Sequence, residues 1–454
     1  MTTTGRDELI ALRDLLTTSI DALLADPSLE IPSLKDASPG KGPVAAGPTL
    51  VATGAADQLV ALLNGPAYTV TKALGGHVAS SLRVAIEAHV VETIREAGGE
   101  GLHVNEIAKS SAVDPAKLAR ILRVLAAHHI FTETAYETFA NNRCSTLLDT
   151  GKSVKDLKGN RFLYTDTNGF AALVAHCTED LLKATGYLSE AVLSPETANS
   201  YEPEKTAFAL AAGVDIAVWD LWAQPGNEHY LARFGVAMLG ANALGGGLLD
   251  VVFQGGFDFA DLKKDTLLVD VGGGAGAVSL KIAEAAPQIK IVLQDRPEVI
   301  SGETKKTWEK ENPSAIASGQ VELVAHDFFT PQPIKEADVY LMRAIIHDWA
   351  DPLAIKILSQ LHDAASASST LVLIEQVISP LSPSPDSKAP FPLLPSLGNT
   401  FPFLLDIQML TGMNAQERTR EQFVTLGEAA GWKLERVVSG PPPTLFSHLV
   451  FSKI

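Results

Sequence analysis

Cysteine is almost absent: Cys144 and Cys177 are the only two in 454 residues. Two thiols build neither a disulfide framework nor a zinc site, which points to a reducing compartment. Positive charge is also scarce, with 36 Lys and Arg against 53 Asp and Glu and a net charge of -17. Binding to phosphates needs a basic face, so nucleic acid and anionic membrane surfaces are excluded as main partners. No apolar run approaches the ~20 residues that span a bilayer. Residues 1–16 mix charges with apolar side chains and lack the apolar core and cleavage site of a secretory leader. The cytoplasm is the expected location. No internal repeat is evident, and no carboxylate and amide cluster stands out that would hold a metal near an acceptor.

Apolar residues, by contrast, make up 46% of the chain, enough for a sizeable interior. At this length two domains are the natural reading. Residues 7–25 carry leucine and isoleucine at helical spacing, and then Pro27, Pro32, Pro39, Pro43, Gly47 and Pro48 break any regular element. Residues 1–54 therefore read as an arm helix on a tether. Residues 55–255 read as a mainly helical domain containing one winged-helix segment. In that segment 104–109 forms a short helix and Asp114-Pro115 opens a second one carrying Leu118, Ile121, Leu122 and Leu125. Two strands follow around Phe131 and Phe139. Lys117, Arg120 and Arg123 make a poor phosphate-binding face on so acidic a chain, so a packing or dimer module is the expected role. His128-His129 is expected to end a helix.

From residue 256 to 454 the rhythm changes to alternating strand and helix, the mark of a doubly wound α/β sheet. Strands are expected at 267–271, 289–293, 321–324, 338–342 and 371–374. A proline-rich stretch, 379–402, interrupts the pattern. A helix follows at 420–430, with Thr419 and Gln422 as capping box and Gly431 as its stop. Two last strands, 433–438 and 445–451, joined across Pro441 to Pro443, are expected to form an antiparallel hairpin at one end of the sheet. The first strand delivers Asp270 and opens into Gly272, Gly273, Gly274, Ala275 and Gly276. A loop without Cβ atoms lets a ligand lie against a strand-to-helix turn. An acid just before the glycines repels a pyrophosphate and favours an ammonium or sulfonium group. Asp295 ends the second strand, placed to accept both hydroxyls of a ribose. The pair suits S-adenosylmethionine better than NAD.

Ligands of such sheets bind outside the carboxyl ends of the strands. Those ends are polar here: Asp270, Asp295, Asp327, then Arg343 with His347, Asp348 and Trp349, and Glu375. The runs Val269-Asp-Val-Gly-Gly-Gly-Ala-Gly276, Ala325-His-Asp-Phe-Phe329, Arg343-Ala-Ile-Ile-His-Asp-Trp349 and Glu417-Arg-Thr419 together resemble the small-molecule O-methyltransferases related to plant caffeate and flavonoid enzymes and their fungal counterparts. The resemblance spans residues 55–454. It implies a Rossmann-like methyltransferase sheet and an interlocked homodimer made by the helical half, which also supplies part of the phenol pocket. It also implies S-adenosylmethionine along Gly272 and its loop, with Asp295 and the adjoining Arg296 at the ribose and Asp327 and Phe328 by the adenine. Arg343 stands where many relatives carry a lysine, which keeps the charge and changes the geometry. By the same resemblance His347 is the general base and Glu375 and Glu417 are the acids that flank it.

That chemistry is sound on its own terms, because a phenol of pKa ~10 is a poor nucleophile until a base takes its proton. Met409, Trp349 and Asp348 are expected around the acceptor, Trp349 either as a wall or as packing for the next helix. Phe391, Phe401 and Phe403 place a lid in the proline-rich stretch. Ala344 replaces a bulky aromatic of some plant enzymes, which opens space for a phenolic or polyketide-derived aromatic. Two other readings stay open: a non-catalytic scaffold that binds the cofactor, and methylation of a nitrogen or aliphatic oxygen. An oxidoreductase using NAD is disfavoured by Asp270.

Overall fold

Burial of two separate sets of apolar residues organises the chain. The computed structural model describes residues 4–38, 47–241, 256–382, 389–439 and 446–454. Two compact units emerge, each assembled from more than one stretch: Met1–Gly186, Trp219–Ala243 and Leu381–Asn399 in one, and Tyr187–Val218, Leu244–Pro380 and Thr400–Ile454 in the other. Among the described residues no helix is long and apolar enough to cross a membrane.

The first unit opens on helix Gly5–Ala25, where Thr4 and Asp7 form a capping box. Helix Pro48–Leu63 runs through residue 54, where the arm was expected to end. The arm helix is packed. Leu12 is fully buried against Ala55 and Leu393, with Leu16, Leu59 and Leu397 around them. Gln58 Nε2 donates to the Pro392 carbonyl at 2.8 Å. Gly54 lies so close that a Cβ there would sit 2.7 Å from the Leu397 backbone. The described part of the proline-rich stretch, expected as a lid, thus packs on these two helices, because its leucines find an apolar face there.

The winged-helix segment follows its sequence reading. Strand β1 (Leu102–His103) leads to helices Val104–Lys109 and Pro115–Ala127, then to β2 (Phe131–Ala135) and β3 (Thr138–Asn141), in the antiparallel order β1-β3-β2. Asp114 caps the second helix through the Lys117 amide at 2.9 Å, with Pro115 in the first turn. Leu118, Leu122 and Leu125 from that helix, Ile94, and Phe131 and Phe139 from the strands share one buried core. Full burial of such a leucine contributes about 1.5–3 kcal/mol. Arg123 pairs with Glu133 at 3.3 Å, which suits a packing module. His128 is the C-cap of the helix, as its position suggested.

In the second unit the strands are β4 (Leu267–Val271), β5 (Lys290–Asp295), β6 (Val321–Ala325), β7 (Val339–Arg343), β8 (Thr370–Ile378), β9 (Arg418–Thr419), β10 (Trp432–Ser439) and β11 (Phe446–Lys453). Their order is β10-β11-β8-β7-β4-β5-β6, with β9 beside β8. Pairs among β4 to β8 are parallel. The β10–β11 and β11–β8 pairs are antiparallel, as expected for the late hairpin. Its connection at Pro441 to Pro443 lies outside the described residues. The chain winds outward through β5 and β6, then returns to the other side of β4 as β7. That reversal opens a crevice at the carboxyl ends of β4 and β7. Val269, Tyr340, Met342 and Leu373 from the strands pack with Ile357 and Leu361 of helix Asp351–Ala364 and Phe423 and Leu426 of helix Arg420–Ala429. The Thr419–Gln422 capping box forms as read.

Candidate active site

The loop after β4 is held by backbone. Gly272 and Gly273 amides donate to the Gln294 carbonyl at 2.8 and 3.0 Å, which ties the loop to β5. Gly274 N–H donates to Asp295 Oδ2 at 2.8 Å, and Thr304 Oγ1 donates to the Gly274 carbonyl at 2.7 Å. Gly276 has φ 87° and a Cβ there would meet Trp308 Nε1 at 2.3 Å. A Cβ on Gly273 would meet Asp270 Oδ2 at 2.8 Å, and one on Gly272 would meet Ile345 at 2.8 Å. Gly274 is the open lip, with nothing within 4 Å.

Asp270 lies beneath this loop. It is 2% exposed and accepts the Ser279 hydroxyl at 2.5 Å, at the first turn of helix Ala277–Ala285. Burial lifts its pKa to about 6, with the Asp295 charge adding and the Ser279 bond and Arg343 opposing. Buried there, it braces the first turn of that helix through Ser279. Asp295 accepts Gly274 N–H on one oxygen and Arg296 N–H on the other, both at 2.8 Å. Burial raises its pKa, with the two amides opposing. Each oxygen keeps a further lone pair, which fits a ribose diol. The Arg296 side chain turns to Glu298 at 3.1 Å. Asp327 is exposed and accepts the Phe329 amide at 3.0 Å, closing its own turn. Phe328 stands edge-on to Trp349 with centroids 5.8 Å apart, and Phe329 does so at 4.8 Å, so Trp349 packs on this aromatic pair.

The turn after β7 is held by buried charge. The backbone passes through Ala344 at φ 50° and enters a 3-10 turn, Ile346–Asp348. Glu375, 0% exposed, accepts the Ile345 and Ile346 amides on Oε1 at 3.1 and 2.8 Å. It grips the backbone of the turn and makes no hydrogen bond to the imidazole it was expected to flank. Burial raises its pKa to about 7, with the His347 charge opposing. From the opposite side Arg418, fully buried, donates to the Ile346 carbonyl at 2.9 Å and the Trp349 carbonyl at 2.7 Å, and to Asp351 Oδ1 at 2.7 Å. The Arg343 guanidinium lies 5.2 Å over the Phe446 ring. Burial lowers its pKa, with Glu375 and Asp270 opposing.

His347 meets a carboxylate at each ring nitrogen. Nδ1 is 2.8 Å from Glu417 Oε1, and Nε2 is 3.5 Å from Asp348 Oδ1. The Glu417 amide in turn donates to Asp406 Oδ1 at 2.8 Å, in helix Phe401–Met413. Burial pushes the imidazole pKa down, but Asp348, Glu417 and Glu375 and the bond to Glu417 carry it up to about 10. Burial raises Asp348 to about 6, with His347 opposing. Met409 lies buried in the same helix. Arg418, Ser279, Thr304 and Trp308 were not picked out from the sequence. Asp270 lies 9 residues from Ser279, Gly274 30 from Thr304 and Ile346 72 from Arg418, with no local spacing to mark them.

Comparison with known proteins adds to this geometry. Residues 250–433 match the O-methyltransferase domain and residues 71–151 the O-methyltransferase dimerisation domain. An O-methyltransferase of Armillaria gallica is 36% identical over 403 residues, covering 86% of this chain and 84% of that protein. The chain belongs to the O-methyltransferase family. The 4-O-methyltransferase 1 of Phanerochaete chrysosporium is also 36% identical, over 85% of this chain and 84% of its own length. The crystal structure of OxaC in complex with SAH and oxaline superposes with a TM-score of 0.72 at 18% identity, over 99% of this chain and 100% of that one, which shows a shared fold. This O-methyltransferase uses S-adenosylmethionine and acts on a small molecule.

Proposed function

We propose that this O-methyltransferase works as a cytoplasmic homodimer that methylates a hydroxyl of a phenolic or polyketide-derived aromatic molecule, without a metal, using a base centred on His347. The observation that carries this reading is one imidazole at the carboxyl edge of the sheet, bonded to Glu417, on a turn pinned by Glu375 through its amides and by Arg418 through its carbonyls. Such over-determination suits a proton-transfer group that must meet a hydroxyl within a few tenths of an ångström. S-adenosylmethionine supplies an electrophilic methyl on a sulfonium. Gly272 to Gly276 line its methionine part, Asp295 holds the ribose through its spare lone pairs, and Phe328 with Asp327 lies by the adenine. Arg343 carries positive charge beside this site. Met409 and Trp349 bound the acceptor. Attack by an oxyanion on a sulfonium methyl cancels both charges, so a water-poor site favours it.

The helical unit supports the dimer. Leu63, Tyr68, Val70 and Leu74 are 65%, 55%, 68% and 71% exposed, an apolar run adjoining the matched dimerisation segment. Light scattering should return twice the 48.1 kDa chain mass. A stable, active monomer would overturn the dimer. For the reaction, incubation with labelled S-adenosylmethionine and a panel of phenols, polyketide aromatics, aliphatic alcohols and amines should give a methyl ether of a phenol. Exclusive N-methylation would overturn the acceptor class.

A further inference from the structure

Gln294, on β5, reaches two loops at once. Its main-chain carbonyl accepts the Gly272 and Gly273 amides of the glycine loop. Its side chain meets Gln332, in the turn after β6 that carries Asp327 and Phe328. Gln294 Nε2 donates to Gln332 Oε1 at 2.9 Å, and Gln332 Nε2 donates back to Gln294 Oε1 at 2.8 Å. Both side chains are 1% exposed. The Ile334 amide also donates to Gln332 Oε1, at 3.0 Å, and because an N–H can only donate, this bond fixes which end of each side-chain amide is the oxygen. The Tyr340 hydroxyl holds the same turn by donating to the Ile334 carbonyl at 2.8 Å. The turn comes back to the glycine loop: a Cβ on Gly272 would lie 3.8 Å from Phe328 Cε1. Two leucines would fill the space of the two glutamines with no polar group to satisfy. What the amide pair adds is a fixed distance and direction between the loops it joins.

We propose that Gln294 and Gln332 are positioning residues that set the spacing between the two ends of the cofactor cradle, the glycine loop and the Phe328 turn, for a ligand that spans both. This rests on the reading that Gly272 to Gly276 line the methionine part of S-adenosylmethionine and that Phe328 with Asp327 lies by the adenine. When two contacts are made by one ligand, the second adds its full share only if the first leaves it in place. A spacer therefore matters to S-adenosylmethionine and to S-adenosylhomocysteine, which both carry adenine and an amino-acid tail. It matters little to adenosine, which has the ribose and adenine alone.

The test compares these three ligands by calorimetry or competition in Gln294→Leu, Gln332→Leu and the double variant. Each single variant leaves a buried amide facing a leucine and should melt a few degrees lower, whereas the double should melt no lower than the poorer single. All three variants should bind S-adenosylmethionine and S-adenosylhomocysteine roughly three- to thirtyfold more weakly. Adenosine should stay within about twofold of wild type, and the kinetic loss should fall on the cofactor KM rather than on kcat. An equal loss for adenosine, or an affinity for S-adenosylmethionine that returns to wild type in the double variant, would overturn the spacing role and leave the pair as a fold contact only. Phe328→Ala removes the adenine contact directly and should weaken all three ligands. Unchanged binding there would overturn the reading of the cradle, and the spacing role with it, whatever the glutamine variants do.

Discussion

Two loops meet at the crevice between β4 and β7, and they are fastened by opposite means. After β4 the glycine loop is stitched down by amides and by the lack of side chains, with Leu293, Trp308 and Ile345 filling the room a Cβ would need. After β7 the turn bearing His347 is held by the side chains of three buried charged residues, Glu375, Glu417 and Arg418. Except at Gly274, the first device has no room for an added atom. The second tolerates no lost charge. On the proposed function the two halves would suit two tasks, since a nucleotide-like ligand needs a surface of fixed shape, whereas proton transfer needs groups whose charge can change.

The largest effect expected is at the charged loop. His347→Ala should lose roughly a hundredfold to ten-thousandfold in turnover at pH 7. Calorimetry should still find S-adenosylmethionine bound nearly normally, because the glycine loop is fastened by other residues. The residual rate should climb with pH as solvent supplies phenolate. A matching loss of cofactor binding would show that the two loops do not work separately.

Next come the glycines. Gly276→Ala places a Cβ 2.3 Å from Trp308 Nε1 at φ 87°. Overpacking and the left-handed backbone together cost about 2–5 kcal/mol, so cofactor affinity should fall by roughly thirtyfold or more. Gly274→Ala meets no neighbour within 4 Å and pays only for its φ of 57°. The loss there should be about five- to thirtyfold. Equal losses would mean that shape is not what the loop provides. Asp295→Ala removes the ribose acceptor and should weaken binding by about 1.5–3 kcal/mol, roughly ten- to a hundredfold, with kcat at saturating cofactor little changed. Unchanged binding by calorimetry would leave Asp295 as a clasp for Gly274 and Arg296 alone.

The smallest effect is a pH limb in stability. The His347 pKa is raised from 6.5 to about 10, so its contribution is complete below about pH 6.5 and is lost as pH rises through about 10. Thermal unfolding followed between pH 6 and 10 should show a decline that His347→Ala flattens, with a difference on the order of a few degrees. Gly274→Ala should keep the wild-type slope. A slope that survives in His347→Ala would assign the limb to other groups.

Much of this arrangement can be read locally. The glycines of the first loop, Asp295 at the end of β5, the Thr419–Gln422 cap and the alternating strands all depend on neighbours a few residues away, and local spacing records them. Longer-range relations leave no such mark. Nothing near Glu375 says that its oxygen grips two amides some 30 residues earlier, and nothing near Arg418 says that it closes the same turn from the other side. Asp270 read as a ligand contact because its position is visible in the sequence, whereas its burial under the loop depends on β5 and Ser279. The resemblance of motifs supplied His347 and Glu417 together. Their 2.8 Å contact spans 70 residues of chain.

The strap across the first two helices bears on how the chain is made. Leu12, Ala55 and Gln58 wait for Leu393 and Pro392, and the Gln58–Pro392 bond joins residues 334 positions apart. At a synthesis rate of ~5–20 residues per second, that separation corresponds to roughly 15–70 s. Through that interval the helix pair has left the ribosome with its apolar side bare. Until residues 392–397 are made, the two helices have only each other to cover that apolar side.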